Sequence, residues 1–339
     1  MKEKNYNLEL IRMISFIFVI VIHVSNYYCR AYGDITIGEY SFSLLLNLLA
    51  RISVPCFFMI TGALLLGRQE SLHKHAKRIF RFLIVLLVWS VIYMIWNAVY
   101  MEDPYQIKDL LYKPVEQHLW YLYAMIPIYL VLPFFQVMCK GMNLRMERAF
   151  LVVITAAVLF NYISTFFDEK MYYSVPMVGG DRIYSYYVFI GYYIYKYRKH
   201  VMKGGKMIPA GIFVVCMALN YGLTYAATLQ DGEHYERLLE YGNPLLALAA
   251  AMAFLMLVRL KKSEFNPSEQ AKKWIDRFCG CSFGIYLIHI MFLDVYKRNI
   301  KPETFSAWIM IPVVSMGLVL LSFGCVWLIR KTKTGRKIM

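Results

Sequence analysis

The feature that most constrains this chain is a succession of apolar runs of about 18–25 residues, each long enough for an α-helix to cross about 30 Å of hydrocarbon. Hydrophobic residues make up 59% of the chain and charged residues 17%. Soluble proteins average about 45–50% and about 25% for the same two classes. The sequence therefore predicts an all-α, polytopic membrane protein that crosses the lipid bilayer about ten times.

The ten predicted spans leave only short loops, so residues 1–339 are expected to form one transmembrane domain. The first run is not a cleavable signal peptide, because it is long, contains Arg12 and His23, and precedes no small-residue cleavage pattern. The sixth span is the shortest and is rich in tyrosine. The predicted spans are residues 8–28, 42–66, 80–100, 119–138, 149–167, 183–196, 208–229, 242–259, 278–296 and 305–329.

The basic residues indicate how the chain is oriented. A net charge of +15 is compatible with a nucleic-acid partner, but the Lys and Arg residues concentrate in alternate short loops, and acidic residues concentrate in the others. Basic loops remain on the cytoplasmic side of a membrane. The pattern therefore predicts cytoplasmic termini, a location in the plasma or inner membrane, and no nucleic-acid partner.

Two polar residues whose burial in a lipid bilayer costs free energy share one face of the first span. Arg12 and His23 are eleven residues apart, which on an α-helix is about 1100° and about 16 Å along the axis. Ionisable side chains inside a bilayer are expensive and face protein or water rather than lipid. The spacing therefore predicts a pocket or passage along this helix face.

Polar residues of other spans fall at a similar depth. Counted from the centre of each span, His23, Arg51 and His289 lie about 7.5, 4.5 and 3 Å towards the outside. Pro55 is expected to kink the second span beside Arg51, because proline leaves a carbonyl one turn earlier without its donor. His118 begins the fourth span. Together these positions predict a buried reaction or substrate site in the outer half of the membrane.

Structural roles compete with this interpretation. His289 could simply bond a serine or a backbone carbonyl, Arg51 could cap a neighbouring helix, and Arg12 could extend to the cytoplasmic headgroups. His118 and Trp120 also fit an interfacial aromatic belt. The remaining histidines are predicted to lie in solvated loops: His73, His75, His200 and His234. No metal is expected, because Cys279-x-Cys281 lacks the second pair that a zinc site needs.

Four motifs give the chain a resemblance to the membrane-bound acyltransferase-3 family, in that family's order and spacing. The sequence departs from the family pattern in having Glu9 where aspartate is frequent, Met13-Ile14-Ser15 after the arginine, and Thr61 where serine is common. The motifs are Arg12-x10-His23; Arg51-x3-Pro55-x-Phe57-Phe58-Met-Ile-Thr61-Gly62; His118-Leu-Trp120-Tyr-Leu; and Ser282-Phe-Gly284-Ile-Tyr286-Leu-Ile-His289.

The resemblance implies transfer of an acyl group, usually acetyl, from cytoplasmic acyl-CoA to a hydroxyl or amine of an extracytoplasmic or lipid-linked acceptor, such as a surface-glycan sugar. Arg12 would then hold the CoA phosphates, with Glu9 pairing to it at i, i+3. His23 would act as a base or as an acyl carrier, and Arg51 would stabilise an oxyanion. The remaining expected roles are positioning of His23 by His289, and substrate binding by His118, Trp120 and Tyr286.

Two other functions fit the same residues. Intramembrane Arg and His side chains on several helices also suit a proton-coupled secondary transporter or exporter, although no inverted repeat is visible in the sequence. A non-catalytic uptake or sensory membrane module of the same fold is the third possibility.

Overall fold

A computed structural model describes residues 5–164, 166, 183–198, 200, 205–259, 265–333 and 335. Within these ranges the chain is helical and has no strand beyond an isolated bridge between Tyr32 and Ile35. The α-helices are α1 (Tyr6–Cys29), α2 (Ile37–Arg51), α3 (Ser53–Leu65), α4 (Leu72–Trp96), α5 (Trp120–Gly141), α6 (Leu144–Ser164), α7 (Ile183–Tyr197), α8 (Met207–Asp231), α9 (Pro244–Val258), α10 (Glu269–Asn299) and α11 (Ala307–Ile329).

The described residues contain nine helical segments that are long and apolar enough to cross a membrane, with α2 and α3 forming one of them. The sixth predicted span corresponds to α7, a helix of 15 residues that falls short of that length. The all-α, polytopic prediction is therefore confirmed. The chain is a multi-pass membrane protein.

Several predicted span boundaries differ from the helix ends. The third span was expected from residue 80, but α4 begins at Leu72; the ninth was expected from 278, but α10 begins at Glu269. Both helices continue in polar residues beyond the apolar stretch, which hydropathy alone does not detect. Ser268 caps the start of α10 by accepting a hydrogen bond from the Ala271 amide. The predicted end of the fifth span, at 167, lies outside the described residues.

The second span is broken where the sequence predicts a kink. Helix α2 ends at Arg51 and α3 begins at Ser53. Pro55 has no amide hydrogen to donate to the Arg51 carbonyl four residues earlier, so the helix cannot run through this point unchanged. The break places Arg51 at a helix end inside the bundle, where its side chain can turn towards the neighbouring helices.

Helix α1 lies at the centre of the bundle and packs against α2, α3, α9, α10 and α11. The tightest helix pair is α3 with α7, where two glycines allow the backbones to touch. A Cβ atom on Gly62 would lie 1.8 Å from the Val188 carbonyl oxygen, and one on Gly191 would lie 2.1 Å from the Met59 carbonyl oxygen. Small residues at a crossing permit such close approach in membranes, and this contact fixes α7 against the core.

Candidate active site

A cavity of about 760 Å³ runs beside α1. Arg12 and His23 both line it, as the shared helix face predicts. Its two ends differ in composition and are named here by their residues. The basic mouth consists of Arg12, Lys77, Arg78 and Arg81, and the outer mouth consists of Asn26, Arg30, Gln117 and Glu236.

Three histidines from distant parts of the chain meet between the two mouths. The ring centres of His23 and His289 are 5.2 Å apart, and those of His289 and His118 are 5.5 Å apart. His118 and His289 are almost fully buried, and His23 is half-buried. His23 and His118 line the cavity, whereas His289 lies behind them outside its lining. His118, which was predicted at the outer mouth of the site, thus lies in the same layer as His23 and His289.

The hydrogen bonding of His289 defines what its ring can do. Its Nδ1 lies 2.8 Å from the Tyr286 carbonyl oxygen, and because a carbonyl only accepts, Nδ1 carries the hydrogen. In the neutral ring Nε2 is then a lone-pair acceptor, and it has no hydrogen-bond partner among the described residues. The carbonyl contact that competed with a functional role is therefore present, yet it leaves the second nitrogen free.

Tyr286 and Trp120 form aromatic walls of the cavity. The Tyr286 hydroxyl donates to the backbone carbonyl of His118, and the Tyr286 ring packs edge-on against that histidine at 5.3 Å. Trp120 lies 5.0 Å from the ring of Tyr184 and 5.8 Å from the ring of Tyr241. The beginning of α5 is thus anchored to α10 and to the α8–α9 loop, and all three predicted substrate residues, His118, Trp120 and Tyr286, line the cavity.

Arg51 is held by neutral oxygen atoms. Its Nε donates to Asn47 Oδ1 and its Nη1 donates to the Leu239 carbonyl oxygen, each at 2.9 Å. Asn47 in turn donates to the carbonyl oxygen of Ile22, the residue before His23, at 3.2 Å. Within the described part of the chain, Arg51 has no carboxylate partner and its Nη2 makes no hydrogen bond. The guanidinium is therefore fixed relative to His23 while keeping its charge available.

Sequence reasoning missed Asn47. A polar residue one helical turn before Arg51 was the available signal, because positions i and i+4 adjoin on a helix. Asn47 is fully buried. Its amide nitrogen donates to the Ile22 carbonyl oxygen and to the Ser25 hydroxyl, which ties α2 to the turn of α1 that carries His23, and its Oδ1 accepts from Arg51.

At the basic mouth, cations outnumber carboxylates. Arg12 Nη1 lies 2.7 Å from Glu9 Oε2, which confirms the predicted pairing, although Glu9 does not line the cavity. Arg78 pairs with Glu70 at 2.7 Å, and this hydrogen bond lowers the pKa of the Glu70 carboxyl. Four cations thus line the mouth and two carboxylates neutralise two of them, which leaves two positive charges in excess.

At the outer mouth, charges are paired. Arg30 Nε and Nη2 donate to the two carboxylate oxygens of Glu236 at 2.7 and 3.2 Å. Burial by itself raises the pKa of Glu236, but the Arg30 contact outweighs burial and leaves the pKa below its usual value. Glu236 belongs to the α8–α9 loop, which Arg51 holds through the Leu239 carbonyl. Nothing in the sequence pattern predicted that this loop covers the site.

No group of three or more His, Cys, Asp or Glu side chains within the described ranges is arranged to hold a metal ion. The three histidine rings contact one another by their faces and edges, at 52° and 78° between ring planes. Their arrangement suits proton transfer and packing. The expectation of a metal-independent site stays a prediction.

Comparison with known proteins adds one match. The family model for acyltransferase-3, described as an acyltransferase domain, matches residues 5–330. This range contains every residue of the cavity and of the histidine layer. No curated protein and no solved structure matches the chain.

Proposed function

Because the chain belongs to the acyltransferase-3 family and is a multi-pass membrane acyltransferase, we propose that it moves an acyl group, in the first place acetyl, from cytoplasmic acyl-CoA to a hydroxyl of an extracytoplasmic or lipid-linked acceptor. A surface-glycan sugar is the acceptor that we favour, and the plasma or inner membrane is the location. The supporting observation is that one cavity is lined by both the basic mouth and His23.

The basic mouth suits the donor. The phosphates of acyl-CoA are anionic, and this mouth carries two uncompensated positive charges. Lys77 and Arg81 line it without a carboxylate partner among the described residues. Guanidinium groups bind phosphate through two parallel hydrogen bonds, and lysine acts as a point charge for the same group. Arg12, three helical turns from His23, would then mark the path of the thioester towards the histidine layer.

His23 and Arg51 supply the chemistry in this proposal. The acceptor hydroxyl loses its proton to His23 as its oxygen attacks the thioester carbonyl carbon. The free Nη2 of Arg51 donates to the oxyanion that forms. The carbon–sulfur bond then breaks, and the CoA sulfur leaves as the thiol after taking the proton from His23. A two-step route, in which His23 first carries the acyl group itself, uses the same residues.

The test uses purified protein in lipid nanodiscs with acetyl-CoA labelled in the acetyl group and a crude surface-glycan fraction. We expect label to pass to the glycan and free CoA to appear. His23→Ala should lower kcat about 10²–10⁴-fold, which is the usual contribution of a positioned acid–base group. His73→Ala is the matched control, because His73 is exposed at the start of α4 and lies outside the cavity. Equal rates for His23→Ala and the wild type would refute the proposal.

The transporter hypothesis is favoured by the length of the cavity, whose lining includes Arg12 near one end of α1 and Arg30 just beyond the other. A transporter would move its solute into sealed vesicles without acyl-CoA. The acyltransferase would consume acyl-CoA in nanodiscs, where no gradient exists. Solute transport without any consumption of acyl-CoA would support the transporter hypothesis and refute the acyltransferase.

A further inference from the structure

A second cavity, of about 970 Å³, opens between α5 and α7 and is named here the lateral groove. The residues that line it on α5 are spaced three or four positions apart, so they form one face of that helix. None of the described residues that line it is charged. Those that carry the argument are Trp120, Ala124, Pro127, Val131, Phe134 and Met138.

The groove exists because its two helices have different partners. Helix α5 packs against α4, whereas α7 packs against α3 through the close glycine contact. Two ring pairs bridge the gap, Trp120 with Tyr184 at 5.0 Å and Phe135 with Phe189 at 4.7 Å. The Tyr193 hydroxyl also contacts the sulfur of Met142, just beyond α5, at 3.7 Å. Between these contacts the helices separate and leave a long apolar channel.

The length and openness of the groove suit a hydrocarbon chain. From Trp120 to Met138 it extends about 27 Å along the helix axis, close to the thickness of the hydrocarbon core. The side chains of Val131 and Phe134 are 38% and 73% exposed, so the groove opens sideways into the bilayer. Apart from the hydroxyls of Tyr123, Tyr184 and Ser185 and the Trp120 N–H, the described lining side chains are apolar, so a lipid tail gains more contact along this wall than a sugar does.

The groove joins the reaction cavity at one residue. Trp120 lines both cavities, and it follows His118 by two positions. Tryptophan has a large apolar ring and one polar N–H group, and it commonly lies where hydrocarbon meets polar surroundings. A chain held in the groove would therefore present its polar end beside the histidine layer, away from the basic mouth.

We propose that the lateral groove binds the hydrocarbon tail of a lipid-linked acceptor and that the attached sugar enters the reaction cavity past Trp120. This inference rests on the proposed acyl transfer and narrows its acceptor to an amphipathic lipid. The donor enters from the opposite end of the cavity, where the basic mouth supplies cations for its phosphates.

The first experiment measures occupancy of the groove without catalysis. Wild-type protein in nanodiscs is photolabelled with a prenyl-phosphoryl sugar that carries a diazirine in its tail, and with a phospholipid that carries the same tail. We expect saturable labelling of the α5 face from Ala124 to Phe134 by the prenyl-phosphoryl sugar. Excess unlabelled prenyl-phosphoryl sugar should suppress this labelling, whereas the phospholipid should label without saturation.

Two variants fill the groove and one serves as their control. Ala124→Trp and Val131→Trp should reduce the saturable labelling about tenfold, because a few buried methylene groups of the tail account for that factor. Val131 lies at the open edge, so its variant tests the groove if Ala124→Trp folds poorly. Val137→Trp is the matched control, because Val137 is 71% exposed on the same helix and does not line the groove.

Three outcomes would overturn the inference: non-saturable labelling, equal saturation by the phospholipid, or unchanged labelling in both groove variants. Failure of the proposed function is distinguishable from these. If the protein consumes acetyl-CoA through His23 but shows no saturable labelling, only the proposal of a lipid-linked acceptor is refuted. If it binds the probe but never consumes acetyl-CoA, the proposed acyl transfer is refuted.

Discussion

The two mouths of the reaction cavity handle charge in opposite ways. Among the described residues, four cations face the cavity at the basic mouth, and Glu9 and Glu70 are the carboxylates that pair with them. At the outer mouth the cation Arg30 is matched by Glu236 through two hydrogen bonds. Arg51 lies between the mouths, and within the described ranges its hydrogen bonds all go to neutral oxygens. One end is therefore built to attract an anion, and the other end has its charge already satisfied.

Under the proposed acyl transfer, this difference would separate donor binding at the basic mouth from the chemistry beside Arg51. An uncompensated cation near the surface gains most from a multiply charged ligand. A cation fixed deep in the protein by neutral partners is instead positioned for charge that develops during reaction, where the low dielectric strengthens its effect. The comparison predicts that loss of Arg51 affects turnover, whereas loss of a basic-mouth residue affects donor affinity.

The largest effect is expected at Arg51. Arg51→Lys retains the charge but cannot reach Asn47, Leu239 and a developing oxyanion together, because lysine has no planar fork of donors. We expect kcat to fall about 10²–10³-fold, as when one oxyanion donor is lost, with little change in KM for acetyl-CoA. Arg68→Lys, at an exposed loop residue, is the control. A raised KM with unchanged kcat would move Arg51 to the donor site.

The next effect is expected at the basic mouth. Arg81→Met should raise KM for acetyl-CoA about 10–100-fold, which corresponds to the loss of one charged hydrogen bond, and should leave kcat near the wild-type value. Salt should weaken donor binding in the wild type more than in the variant. The exposed Arg145, at the start of α6, provides the control variant Arg145→Met. A change confined to kcat would contradict the proposal that the basic mouth binds the donor.

Much of the structure near the basic mouth could be predicted from the sequence. The spans follow from length and hydropathy, the Arg12 and His23 face follows from helical periodicity, and the Glu9–Arg12 pair follows from i, i+3 spacing. Each of these depends on residues close together in the chain. Local patterns therefore sufficed for α1 and for the kink before Pro55.

The structure near the outer mouth depends on contacts between residues that are distant in the chain, and local sequence patterns do not encode these contacts. His234 was expected to be solvated, yet its Nδ1 lies 3.0 Å from the Tyr40 hydroxyl, 194 residues away. His75 was also expected in a solvated loop, but α4 begins earlier than predicted and buries it. The Arg30–Glu236 pair joins α1 to the α8–α9 loop across 206 residues. Only the assembled bundle brings such groups together.

The smallest predicted effect concerns the acid stability of the outer mouth. Burial lowers the pKa of His234 from 6.5 to about 4; nearby Glu236 opposes this shift, whereas Arg51 and Arg30 add to it. Between these two pH values the unfolded chain binds the proton and the folded chain does not. The free energy of unfolding therefore falls as the pH drops from 6.5 towards 4, by at most about 3 kcal/mol.

The variant His234→Gln keeps a polar contact for Tyr40 but removes this titration. Its thermal denaturation temperature in nanodiscs should decline less than that of the wild type between pH 6.5 and pH 4, whereas His73→Gln, at an exposed position, should follow the wild type. Identical pH profiles for all three proteins would contradict the assignment. A shallower pH profile for His234→Gln alone would support an uncharged imidazole beside the Arg30–Glu236 pair. This is expected if the outer mouth is kept close to neutral, to suit an acceptor that carries less charge than CoA.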